Sequence, residues 1–381
     1  MKERALPLPI TVDSAEALNQ LAQSLTDEPL LAIDTESNSL YAYRERVCLI
    51  QLSTREADYI IDPLAMRNLQ ALAPLFANPN IEKVFHAAEY DLMCMKRDFG
   101  FIFNNLFDTM IAARVCGRKS IGLGALLGDL AGVPVDKSHQ RDDWGQRPLP
   151  AASLLYAQMD THYLPQLRDY FTEELLRLDR SEEAHEAFRD VCGVPPARRD
   201  EFDADGYWRI VLPHNLTRRA AAILREVYIA REHLAREKDT PPFKIFLDKT
   251  LVAVAQSAPA SLSDLSQIEG MSPTQVRRYG RVLLDAVSAG MHAKLPSPPP
   301  PEVPSDPVVV ERYSALREWR KTRAQERGVE SDVIISKDAL WTLAERAPDS
   351  LDDMDNVSGL GPWRLGVYGA EILEVIRRYR R

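Results

Sequence analysis

Two stretches of this 381-residue chain are copies of one unit, and the repeat limits what the rest can be. Ile245, Leu251, Pro259, Gly270, Tyr279 and Gly280 recur as Ile334, Leu340, Pro348, Gly359, Tyr368 and Gly369, each pair 89 positions apart. Both copies are helical in pattern, and a proline-rich stretch from Leu295 to Pro304 separates them. Such a stretch is an extended, semi-rigid spacer. Two copies with a long spacer describe tandem small domains, not a solenoid. The expected division is therefore a first domain with its linker over 1–205, a helical domain over 206–295, a linker over 296–307 and a second helical domain over 308–381. The charged segment 182–206, with Pro195-Pro196, reads as linker.

The first domain has a mixed pattern. Pro9–Val12 reads as a strand, and Asp13 or Ser14 can cap a helix through about Leu25. Leu30–Thr35, Val47–Leu52 and Ala57–Asp62 read as three strands of an antiparallel meander. Arg67–Phe76 then reads as helix, Lys83–Phe85 as strand, and Ala88–Arg97 and Phe107–Cys116 as helices. Ser153–Leu178 is a long helical pattern with a break expected at Pro165. Alternating strands and helices imply a mixed sheet with flanking helices.

The run Leu30-Leu31-Ala32-Ile33-Asp34-Thr35-Glu36 ends a buried strand in two carboxylates. Two positions apart on a strand, Asp34 and Glu36 share a face. They repel each other and are costly to desolvate, and a divalent cation with oxygen ligands would compensate them. Asp91 falls on the first turn of the helix after the Lys83–Phe85 strand. Tyr156 and Asp160 are four apart on a helix and share its face. Each feature alone also fits a plainer role: exposed acids, dipole matching, an edge tyrosine. Together the four acids suggest a two-metal site for in-line phosphoryl displacement, with Tyr156 positioning a water. Carboxylates without a Cys or His cluster select Mg²⁺ or Mn²⁺ over zinc.

Charge is uneven. Residues 1–205 hold 21 Lys+Arg against 33 Asp+Glu, and 206–295 hold 13 against 8. An acidic site served by a polyanion-binding module fits that balance. Arg218 with Arg225, and Arg277 with Arg281, fall on common helix faces, and Arg278 adjoins the second pair. Cys48, Cys94, Cys116 and Cys192 lack paired spacing and read as free thiols of a reducing cytoplasm. No secretory signal is legible, and no apolar run reaches the roughly 20 residues that span a bilayer. A cytoplasmic monomer without membrane association is expected.

Asp34-x-Glu36, Asp91 and Tyr156-x-x-x-Asp160 in this order resemble the three exonuclease motifs of the DEDD superfamily, tyrosine subtype, and ribonuclease D within it. His86–Asp91, Asp136-Lys137-Ser138 and Trp144-Gly145-Gln146-Arg147-Pro148-Leu149 support the likeness. The tandem units resemble HRDC domains through Thr240-Pro241-Pro242-Phe243-Lys244-Ile245 and Tyr279-Gly280. Two departures stand out. Ser37-Asn38 follows Glu36 where many relatives carry an aromatic, and the second unit has Glu330-Ser331-Asp332-Val333-Ile334 in place of the Pro-Pro-Phe stretch. The resemblance implies an α/β ribonuclease H-like exonuclease domain followed by two small all-α HRDC-like domains. It implies that Asp34, Glu36, Asp91 and Asp160 are metal ligands and that Tyr156 helps position the nucleophilic water. It further implies removal of nucleotides from RNA 3′ ends, as in tRNA maturation. Asp108 reads as a helix cap and His86 as a support of the site. Alternative readings are a DNA 3′-5′ exonuclease and a non-catalytic RNA-binding protein.

Overall fold

The structure, a computed structural model, describes residues 6–66, 68–134, 138–198, 201–211, 215–300 and 306–379. Asp136 and Lys137 lie outside the described residues. The chain divides into two compact units. One comprises Met1–Ser37, Val47–Ala197 and Pro304–Arg381, the other Asn38–Arg46 and Arg198–Val303.

The first unit is built on a six-stranded sheet. Its strands are β1 (Ile10–Val12), β2 (Leu30–Ser37), β3 (Val47–Ser53), β4 (Asp58–Ile61), β5 (Glu82–Phe85) and β6 (Leu106–Asp108), in spatial order β1-β4-β3-β2-β5-β6. The pairs β2–β3 and β3–β4 are antiparallel, which is the meander read from the sequence. The pairs β1–β4, β2–β5 and β5–β6 are parallel. The sheet is therefore mixed. Strand β2 is buried through Ile33 and only partly covered from Asp34 onward, so the apolar run ends where the core ends.

Helices cover the sheet: α1 (Ala15–Ser24), α2 (Ala73–Ala77), α3 (Glu89–Phe99), α4 (Thr109–Val115), α5 (Leu123–Ala131), α6 (Ala151–His162), α7 (Leu164–Arg177) and α8 (Ser181–Cys192). Ser14 caps α1 by accepting from the Ala17 N–H at 3.3 Å. The helical pattern over 151–178 breaks at Tyr163, which lets Pro165 sit in the first turn of α7, where its missing N–H costs nothing.

Three readings need correction. The helix expected over Arg67–Phe76 is only a 3-10 turn at Gln70–Leu72 followed by the short α2. Phe107–Cys116 is not one helix: Leu106–Asp108 forms β6 beside β5, and Asp108 then caps α4. The segment from 182 is not linker, since α8 buries Ala184 and Phe188, with the Phe188 ring 4.8 Å from that of Phe107.

Charged residues on α8 are buried because later residues neutralise them. Residues 306–379 of this unit fold as α14 (Pro307–Arg327), α15 (Ser331–Ile334), α16 (Lys337–Arg346) and α17 (Pro362–Arg378). Glu183 is 0% and Glu186 2% exposed. Arg327 Nη1 donates to Glu183 at 2.8 Å, and Arg364 Nη1 to Glu186 at 2.8 Å. Glu186 also accepts the Trp363 N–H at 2.6 Å, at the start of α17. A Cβ at Gly361 would lie 2.4 Å from the Glu186 carboxyl group, so a larger residue there would displace that carboxylate from its partners. Arg364→Ala leaves Glu186 a buried charge without its cation and is expected to cost about 3–5 kcal/mol. Urea unfolding of the full chain measures this, and an unchanged midpoint would show that the pair does not hold the helices together.

The second unit is helical: α9 (Arg218–Glu237), α10 (Pro242–Ile245), α11 (Asp248–Ser257), α12 (Leu262–Ser266) and α13 (Pro273–His292). Its core includes Leu224, Val227, Leu251, Leu265, Tyr279 and Leu283. The 89-residue repeat is structural. Short helices α10 and α15 start at equivalent positions, and Ala258 and Ala347 both adopt left-handed backbone. A Cβ at Gly280 would lie 2.6 Å from Leu262, and one at the equivalent Gly369 2.7 Å from the equivalent Leu351. The repeated glycine marks a close helix approach. Loop Asn38–Arg46 belongs to this unit: the Tyr43 N–H donates to Asp239 at 3.1 Å, and Lys244 Nζ lies 3.7 Å above the Tyr41 ring.

Candidate active site

The acids read from the sequence converge on the edge of the sheet core. Ligand oxygens of Asp34, Glu36 and Asp160 lie within 4.8 Å of one another. Asp34 and Glu36 come from one face of β2, and Asp160 from α6, which packs against β2, β3 and β4. Asp91, on the first turn of α3, receives the Thr35 hydroxyl and stands near enough to Asp34 to raise its pKa. The four acids are thus one electrostatic group.

Burial and mutual repulsion disturb their protonation. Burial, then the charges of Asp91, Asp160 and Glu36, hold Asp34 well above the usual carboxylate range. Glu36 is pushed up to about 9, by burial first and then by Asp160 and Asp91. Asp91 and Asp160 are each pushed up to about 7, chiefly by burial. Such a group suits a compensating cation.

Tyr156 hydrogen-bonds Asp160 through its hydroxyl. Burial and the Asp160, Glu36 and Asp34 charges push its phenol pKa up, so the phenol keeps its proton and acts as a donor. Its ring centroid lies 6.2 Å from that of Trp144, which is buried. Nearby, Arg147 Nε donates to Asp62 at 2.6 Å and its Nη2 to the Cys48 carbonyl at 2.7 Å. The Trp144–Leu149 stretch therefore packs beside α6 and β3.

Asp108 is the helix cap expected, and does more. Its buried carboxylate accepts from Met110 and Ile111 N–H at 2.8 and 3.1 Å, and from Ala87 and Ala88 N–H at 3.1 and 2.7 Å. Ala87 has φ 64°, a left-handed conformation that costs a non-glycine residue about 1 kcal/mol or more. Asp108 thus holds the strained turn that launches α3 and aims Asp91.

His86 carries a signal the sequence shows only faintly. Thr109 Oγ1 donates to the Phe85 carbonyl at 3.0 Å, so at 2.9 Å it accepts from His86 Nδ1. Burial lowers the His86 pKa to about 4, so the ring is neutral. Nδ1 then carries the proton and Nε2 the lone pair. His86 lines a cavity of about 370 Å³ with Asp34, Glu36, Tyr156 and Asp160, and Gly122–Gly124 and Gln140 also face it.

The arginines separate into two groups, all in the helical unit. Arg218 donates to the Pro296 and Leu295 carbonyls at 3.3 and 3.4 Å. Arg225 pairs with Asp205 at 3.2 Å and Glu226 at 3.0 Å. Arg277, Arg278 and Arg281 lie exposed on α13 and make no ion pair among the described residues.

A mixed sheet presenting four convergent acids and a tyrosine, followed by paired helical units, defines a 3′-5′ exonuclease with HRDC domains. The 3′-5′ exonuclease family model matches residues 9–176, and the HRDC domain model matches 220–287 and 310–376. A ribonuclease D of Jannaschia sp. is 30% identical over 97% of this chain and 95% of its own length. The crystal structure of Escherichia coli RNase D superposes with a TM-score of 0.69 at 25% identity, covering 98% of this chain and 100% of that one. The catalytic core of RRP6 from Trypanosoma brucei gives a TM-score of 0.68 at 31% identity, covering 76% and 81%. The chain belongs to the ribonuclease D family and is a 3′-5′ exoribonuclease. No helix among the described residues is long and apolar enough to cross a membrane.

Proposed function

We propose that the enzyme shortens RNA from the 3′ end with two divalent cations, Mg²⁺ or Mn²⁺, held by Asp34, Glu36, Asp91 and Asp160, and that tRNA precursors are among its substrates. The observation that carries this reading is the convergence of carboxylate oxygens from β2 and α6 within 4.8 Å. The donor set is all hard oxygen, which suits Mg²⁺ or Mn²⁺. A bound cation pair supplies charge stabilisation for the attacking and leaving oxygens of an in-line displacement. Tyr156, kept protonated and donating to Asp160, offers its phenolic oxygen as the acceptor that orients the attacking water. The neutral His86 offers a lone pair toward the cavity, where a ribose hydroxyl can donate to it.

A tRNA precursor with a short 3′ extension tests the substrate. The expected result is stepwise trimming of the extension, with much slower attack on DNA of the same sequence. Equal rates on the two would favour a general 3′-5′ exonuclease.

The unpaired arginines of α13 are proposed to hold phosphates of the RNA body. Arg277 and Arg278 together replaced by alanine should weaken binding. The slope of log K against log salt should fall by about 1.4 for two lost single-strand contacts. Turnover at saturating RNA should stay near that of the wild type. Salt-titrated binding reads both quantities, and an unchanged slope and affinity would remove this pair from the RNA path.

A further inference from the structure

We propose that Gln51 is a positioning residue for the acidic site, its unpaired carboxamide serving as a donor to the Asp34 carboxylate once that carboxylate ligates a cation. This rests on the reading of the four acids as cation ligands. Gln51 lies on β3 directly opposite Asp34 in the antiparallel register. Directly opposed residues point to the same face, with Cβ atoms about 4.5–5.5 Å apart. On its other side Gln51 is paired with Ile60 of β4, which is apolar and buried. Asp34 is therefore its polar cross-strand neighbour.

Helix α6 packs against β3, and the polar groups flanking Gln51 there are satisfied. Ser53 Oγ lies 2.7 Å from Asp58 Oδ1 and 2.7 Å from Thr161 Oγ1. Gln158 Nε2 donates to Asp58 Oδ2 at 2.6 Å, and His162 Nδ1 lies 2.8 Å from the same oxygen. Gln51 is the exception. It is 0% exposed, and neither Nε2 nor Oε1 has a hydrogen-bond partner. A buried polar group left unpaired costs about 1–3 kcal/mol. A leucine or methionine would fill the same space beside Leu49 and Ile60 without that cost.

An amide kept at such a cost next to a ligand carboxylate has a use. A carboxylate that gives one lone pair to a cation keeps others to be satisfied, and a donor behind it fixes its direction. Loss of such a supporting donor commonly weakens metal binding 10–100-fold. A neutral amide suits this place, since a cationic donor would compete with the metal.

The test is Mn²⁺ titration of the full-length protein by calorimetry, for wild type, Gln51→Leu and Gln51→Met, with thermal melting of each in EDTA. The expected result is Mn²⁺ affinity about 10–100-fold weaker in both variants, with metal-free melting temperatures equal to or above that of the wild type. A packing role alone would lower the melting temperature and leave affinity unchanged, and that pattern would overturn the proposal. Wild-type affinity in both variants would overturn it as well. A wild type that itself binds no Mn²⁺ would instead overturn the cation-ligand reading, and this proposal with it.

Discussion

Asp34→Asn is expected to leave no turnover above background in Mg²⁺ while making the metal-free protein more stable. The two effects have one cause. Asp34 offers a charged oxygen to the proposed cations, and without them it is one of four acids that repel each other. Glu36 at about 9, Asp91 and Asp160 at about 7, and the raised Asp34 all lie above unfolded-state values near 4. Between about pH 4 and 9 the folded state therefore holds protons that the unfolded state has released. Their contribution to stability is full below about pH 4 and is lost as pH rises through the folded-state values. Removing one charge relieves this loss. The melting-temperature gain of Asp34→Asn over wild type in EDTA should thus be larger at pH 8 than at pH 5. Comparing variant with wild type cancels the titrating groups outside the acidic cluster. Near-normal turnover of the variant, or a gain that does not grow with pH, would contradict the assignment.

Tyr156→Phe removes one hydroxyl and is expected to slow turnover by about 10²–10⁴-fold. Burial first, and then the acidic charges, raise the phenol pKa of the metal-free protein, so at neutral pH the phenol keeps its proton and its hydrogen bond to Asp160. Mn²⁺ affinity should change little, because the four carboxylates remain. Rates at saturating metal and RNA separate the two effects. A phenylalanine variant with wild-type turnover would reduce Tyr156 to a packing residue against Trp144.

What could be read from the sequence follows the range of the interactions concerned. Strands β2 and β3 carry their burial in predominantly apolar runs, and Ser14 marks the start of α1 locally. The acids were legible because each closes or opens an element: Asp34 and Glu36 end a buried run, Asp91 opens α3, and Asp160 shares a helix face with Tyr156. Strand β6 was not legible. Three residues give too little periodicity, and the following helix absorbed them. Helix α8 looked like linker because Glu183 and Glu186 read as solvated charge. Their partners, Arg327 and Arg364, lie more than 140 residues later in the chain. Arg225 looked available for phosphate, yet Asp205 and Glu226 occupy it. Gln51 sits in an apolar run, and only the register opposite Asp34 makes it conspicuous. Local patterns thus located the acidic cluster, while long-range pairing determined how it is supported.

The most direct measurement is digestion of a 5′-labelled single-stranded RNA, first with Mg²⁺ and then with EDTA in excess. If Asp34, Glu36, Asp91 and Asp160 act by holding divalent cations, Mg²⁺ gives products that shorten by one nucleotide at a time from the 3′ end. EDTA then stops the reaction, and restored Mg²⁺ restarts it. Undiminished shortening in EDTA would contradict that role for the four acids.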